Sequence, residues 1–71
     1  MKYKAIVKDP IDEIKWLIIE SDESDTRGFF VYYHTSETSG FDTWHSSLKD
    51  AFEVGKVYGI NQEDWKIVSN G

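Results

Sequence analysis

Cysteine is absent from this chain of 71 residues. That removes disulfides and thiol chemistry together and rules out a disulfide-stapled secreted mini-protein. Also missing is any run near the roughly 18 consecutive apolar residues of a membrane span. The early lysines of the N-terminus precede an apolar stretch too short for a signal-peptide core. The chain therefore reads as a cytoplasmic protein with no membrane partner, and its initial Met suggests a complete chain. Proline occurs once, at Pro10, and the glycines Gly28, Gly40, Gly55, Gly59 and Gly71 are scattered, so no glycine-rich phosphate loop exists.

Residues of the types used in catalysis are present but do not form a pattern. No G-x-S-x-G elbow surrounds any serine. The two histidines, His34 and His45, would sit near opposite ends of a hairpin and lack a cysteine to share a zinc ion. Each reads as a strand residue with a local hydrogen bond. Laid on a calcium-binding EF-hand loop starting at Asp22, the glycine falls at position seven instead of six, and Tyr33 occupies the bidentate glutamate position. We expect no catalytic residue, cofactor or metal, and hence no enzyme.

What the chain does have is aromatic mass and acidity. Eleven Phe, Tyr and Trp residues supply much of the apolar area that a single domain of residues 1–71 can bury. A chain this short buries only about 60% of the surface its unfolded form exposes, so packing, a ligand or self-association must reinforce it. The net charge is −5, and seven of thirteen acidic residues lie between Asp9 and Asp25. Such acidity disfavours nucleic acid, whose affinity comes from clustered Lys and Arg, and suits a basic protein partner or plain solubility.

The periodicity predicts an α+β fold in the order β-β-β-β-α-β: an antiparallel four-stranded sheet, one helix packed on one face and a short C-terminal strand. Residues 2–8 alternate, with Tyr3, Ala5 and Val7 facing one way, Lys2, Lys4 and Lys8 the other, and Ile6 interrupting the polar side. Asp9-Pro10 is expected to end that strand in a turn over 9–13. Strands over 14–20 and 29–34 follow, joined by the acidic loop 21–28; a turn over 35–40 leads to a strand over 41–45. Helical spacing then links Leu48, Ala51, Phe52, Gly55 and Tyr58. Ser46 or Ser47 can cap this helix, Ser47 to Asp50 approximating a capping box, and Gly59-Ile60 fits a Schellman stop. A turn over 61–64 precedes an extended Trp65 to Val68, and 69–71 are expected to fray.

The second and third strands are apolar on both faces, while one helix covers only one. We expect Leu17, Ile19, Phe29 and Val31 under the helix, with Ile14, Trp16, Ile18, Phe30, Tyr32 and His34 opposite. The second face has three possible covers: the chain's own tail with Trp65 and Ile67, a second subunit, or a ligand or partner. Trp16, Ile18, Phe30, Tyr32 and His34, with Asp22, Glu23 and Asp25 of the acidic loop, form the candidate interaction surface. The expected function is a non-catalytic protein-interaction module, immunity- or inhibitor-like toward a basic partner. The alternatives are single-stranded nucleic-acid binding through sheet aromatics, with Trp16, Phe30 and Tyr32 stacking bases beside the N-terminal lysines, and a structural homodimer.

The segment from Phe41 through Tyr58-Gly59-Ile60, followed by Trp65, resembles the strand–helix–Tyr-Gly-Ile–Trp ending of small uncharacterised bacterial β-β-β-β-α-β domains. That resemblance, over residues 41–65, implies the same fold and an immunity-like association with toxin or phage-defence functions in a bacterium or phage. It transfers no active-site residue.

Overall fold

The computed structural model describes residues 2–11, 13–22 and 28–68, with Ile11 by its backbone only. The chain forms β1 (Lys2–Ile11), β2 (Ile14–Ser21), β3 (Phe29–His34), β4 (Gly40–His45), the helix α1 (Leu48–Val57), a 3-10 turn over Gln62–Asp64, and β5 (Lys66–Ile67). Strand order across the sheet is β4-β3-β2-β1-β5, with antiparallel neighbours throughout. The fold is thus α+β as the periodicity predicts, and the short last strand joins the sheet as its fifth member. Ser21 of the expected loop 21–28 belongs to β2, while residues 23–27 of that loop and the expected frayed end at 69–71 lie outside the described residues.

β4 and β5 run in the same direction at opposite edges, so the chain between them must cross the sheet, and α1 makes that crossing on one face. Ser47 caps its start, accepting a hydrogen bond on its hydroxyl from the Asp50 backbone N–H at 3.1 Å. Its end is a full Schellman motif. Ile60 N–H reaches the Gly55 carbonyl at 2.9 Å, Gly59 N–H reaches that of Lys56 at 3.1 Å, and Gly59 adopts φ +74. The turn over 61–64 becomes a 3-10 segment in which the Asp64 carboxylate accepts from the Asn61 backbone N–H at 2.8 Å.

The core lies between α1 and the sheet. Ala5, Val7, Leu17, Ile19, Val31 and Tyr33 come from the strands, and Ala51, Ile60 and Trp65 close over them. Leu17, Ile19 and Val31 are therefore under the helix, as alternation predicts, with Phe29 packed against them. Phe52 is edge-on to Tyr3 at 5.3 Å and tilted against Trp65 at 5.6 Å. Gly55 makes room for this arrangement: a Cβ there would come within 2.9 Å of the Trp65 ring. The helical glycine costs roughly 1 kcal/mol of intrinsic propensity and admits the largest side chain of the core.

Two expectations are corrected. The first strand does not stop at Asp9-Pro10 but runs on to Ile11, which pairs with Ile14. β5 pairs only with Tyr3 and Lys4, so the other edge of β1 is open at Pro10 and no ladder bond there needs the missing N–H. Glu13, with φ 66, supplies the left-handed residue of the tight connection.

Ile14 belongs to the core and not to the opposite face; it is 1% exposed. Between the Ile6–Trp16 and Ile11–Ile14 pairs, Val7 to Pro10 stand opposite Lys15 alone. That irregularity rotates the start of β2 and breaks the alternation on which the assignment rests.

Of the three covers open to the second face, the described part of the tail, residues 65–68, does not supply one. Trp65 turns under the helix and is 8% exposed, while Ile67 extends the sheet sideways beside Tyr3 and remains 76% exposed.

Candidate functional site

Antiparallel pairing carries a side-chain face from strand to strand, so the register defines the surface opposite the helix directly. Three rows run across it. The first is Ile6, Trp16, His34 and Gly40; the second Lys4, Ile18, Tyr32 and Asp42; the third Lys2, Glu20, Phe30 and Trp44. Lys66 of β5 extends the second row beyond Lys4. Of the candidate surface, Trp16, Ile18, Phe30, Tyr32 and His34 thus share one face. Asp22 stands at its margin, while Glu23 and Asp25 lie outside the described residues.

The apolar residues of this face are half-buried by one another, not sealed. Trp16, Ile18, Phe30 and Tyr32 are intermediate in exposure, whereas Ile6 is 59% and Trp44 46% exposed. The Trp16 indole stacks on the His34 imidazole with 5.1 Å between centroids and 8° between planes. Phe30 and Tyr32 lean together at 5.9 Å. The Lys4 ammonium stands 5.3 Å from the centre of the Trp16 ring, within cation–π range. His34 departs from the expected local hydrogen bond, since its Nδ1 is buried without a partner. His45 does make one, with its Nε2 2.7 Å from the Thr43 hydroxyl. It sits at the far end of β3–β4, paired with Phe29, whereas His34 is paired with Gly40.

Trp44 joins the same face through its pairing with Phe30, which periodicity within one strand does not reveal. Its indole N–H donates to Asp22 Oδ2 at 3.0 Å, which ties β4 to the end of β2. The ring lies over Gly28, where any Cβ would run into the indole. Glycine closes the acidic loop here because Trp44 occupies the side-chain space.

Charge on this face divides by flank. Lys2, Lys4 and Lys66 stand on the β1–β5 side, and Lys8 joins Lys4 and Lys66 in lining an open groove of about 410 Å³ with Ile6 and Asp64. Glu20, Asp22 and Asp42 stand toward β3 and β4. Lys2 and Glu20 meet at 3.3 Å where the flanks adjoin. Tyr32 registers the acidic side: partial burial, then the Glu20, Asp42 and Asp22 carboxylates, hold its phenol above the ordinary tyrosine value. A second open groove, of about 310 Å³, runs from Tyr32 and His34 along the 35–40 turn to Phe41.

Ile6, Lys66, Glu20 and Asp42 are further members of the face, placed there by strand pairing. The signal for Ile6 is its interruption of an otherwise polar alternation. Among the described residues no three His, Cys, Asp or Glu side chains are grouped to hold a metal ion. No described helix is long and apolar enough to cross a membrane. Compared with known proteins, the chain matches no family model, no curated protein and no solved structure.

Proposed function

We propose that this chain is a non-catalytic protein-interaction module that docks through the sheet face opposite its helix. The observation that carries this reading is the contiguous patch of Ile6, Trp16, Ile18, Phe30, Tyr32 and Trp44, which no other described element covers. Contiguous apolar surface of this kind on a small soluble domain ordinarily marks a contact site. Its make-up also suits recognition, because rigid aromatic side chains give large contact area for little lost entropy.

The flanking charges refine the partner. Glu20, Asp22 and Asp42 favour basic groups, as an immunity- or inhibitor-like role requires. Lys2, Lys4 and Lys66 favour acidic groups on the opposite side. A surface of mixed charge fits better than a uniformly basic one.

Stacking of single-stranded bases on Trp16, Phe30 and Tyr32 is the competing reading, and Lys4 above Trp16 favours it. The three carboxylates around Tyr32 oppose it, since they would repel phosphate. Titrating the tryptophan fluorescence with an oligonucleotide at low salt separates the two, and no quenching is expected. The docking reading is tested by light scattering paired with affinity capture, using wild type and Ile18→Glu. Association of either kind is expected for wild type and lost in the variant. A strict monomer that retains no partner overturns the proposal.

A further inference from the structure

Taking the docking reading as its basis, we infer that the occupant of the open face is a second copy of this chain, related by a two-fold axis parallel to the strands. The argument is one of symmetry. An isologous contact requires a surface complementary to itself. Two in-plane axes bring this face onto its own copy with the strands of the two sheets aligned. An axis perpendicular to the strands, through the middle row, sets β4 against β4 and β1 against β1, so that Asp42 faces Asp42 and Lys4 faces Lys4. An axis parallel to the strands, between β2 and β3, reverses the strand order and superposes opposite flanks.

The register makes that second arrangement specific. The middle row reads Lys4, Ile18, Tyr32, Asp42: cation, apolar, aromatic, anion. Turned about the parallel axis, Lys4 comes over Asp42 of the second copy, and Ile18 over its Tyr32. In the neighbouring row Ile6, at 59% exposure, comes over Gly40, the position with no side chain, and Trp16 over His34. Lys4 and Lys66 also stand directly opposite each other across β1 and β5, a like-charge pairing that an anion from outside relieves.

The contact is modest. Four strands at about 4.8 Å spacing and about six residues at 3.3 Å each span a plane of only about 20 by 20 Å. At about 400 Å² on each copy the pair falls below the roughly 1,000 Å² total of a stable interface, so the association is weak and concentration-dependent.

The experiment is sedimentation velocity on the full chain across a concentration series, with Lys4→Glu, Asp42→Lys, their equimolar mixture, and Ile18→Glu, each checked for folding by circular dichroism. Wild type is expected to dimerise. Each charge reversal is expected to weaken dimerisation at least tenfold, because it sets like charges together at both symmetric contacts. The mixture restores it, because both contacts in the mixed pair are again opposite in sign. A dimer lost in Ile18→Glu but indifferent to the charge reversals overturns the two-fold arrangement and leaves the face as the docking site. A wild type monomeric throughout overturns self-pairing alone, provided a captured protein partner is lost in Ile18→Glu. A dimer unaffected by Ile18→Glu overturns self-pairing and the docking reading together.

Discussion

Trp16 and His34 lie flat against one another across β2 and β3, 5.1 Å between centroids, on the side of the sheet away from the helix. One residue along each strand, Leu17 and Tyr33 face the other way into the core. The same two strands therefore serve two surfaces, and neighbouring substitutions are expected to have opposite consequences.

Leu17→Ala removes a fully buried side chain and is expected to cost about 2–5 kcal/mol. That is comparable with the whole stability of a domain this small, roughly 3–5 kcal/mol. Ile18→Ser, on the open face, is expected to cost about 1 kcal/mol or less. Urea unfolding of the two variants side by side measures the contrast.

Gly55→Ala improves helix propensity by roughly 1 kcal/mol, yet it is expected to destabilise, because the new methyl meets the Trp65 ring at 2.9 Å. Gly59→Ala has open space around it and is expected to lose about 1–2 kcal/mol through backbone strain at φ +74 alone. The indole N–H resonances in NMR distinguish the causes: that of Trp65 shifts in the first variant and stays in place in the second.

These helix-end features were legible in the sequence because each is local. A serine three residues before Asp50, and a Tyr58-Gly59-Ile60 stop, fix both ends of α1 with neighbours only a few positions away. Alternation likewise assigned Leu17, Ile19, Phe29 and Val31 to the helix side. What escaped depends on distant partners. Ile14 changed face because β1 inserts extra residues opposite Lys15, and Pro10 stayed in its strand because β5 is too short to need its edge. Trp44 and Asp42 joined the open face only through their pairing with Phe30 and Tyr32. A strand read singly carries no record of what lies beside it.

Tyr32 reports the acidic flank. Burial first, then Glu20, Asp42 and Asp22, raise its pKa in the folded state above the ordinary value of 10.0. The protonated phenol is favoured by folding, so its contribution to stability is intact below that ordinary value. It is lost as pH rises through the raised one. Absorbance titration is expected to show Tyr32 ionising above the ordinary tyrosine value in wild type. Asp42→Asn should bring that step to lower pH without abolishing the shift, since burial, Glu20 and Asp22 remain.

Gly28→Ala is expected to push the Trp44 indole off its seat and break its 3.0 Å hydrogen bond to Asp22. The Trp44 indole N–H resonance should then exchange faster with solvent while that of Trp65 is unchanged.

The three tryptophans also provide the most direct test of the account, because Trp16 and Trp44 lie on the open face and Trp65 lies beneath the helix. Their indole N–H signals can be followed by NMR as the protein is concentrated from the micromolar to the millimolar range. We predict that the Trp16 and Trp44 signals shift together with concentration while that of Trp65 stays in place. Movement of Trp65 to the same extent, or no movement of any of the three, would contradict a self-complementary docking face opposite the helix.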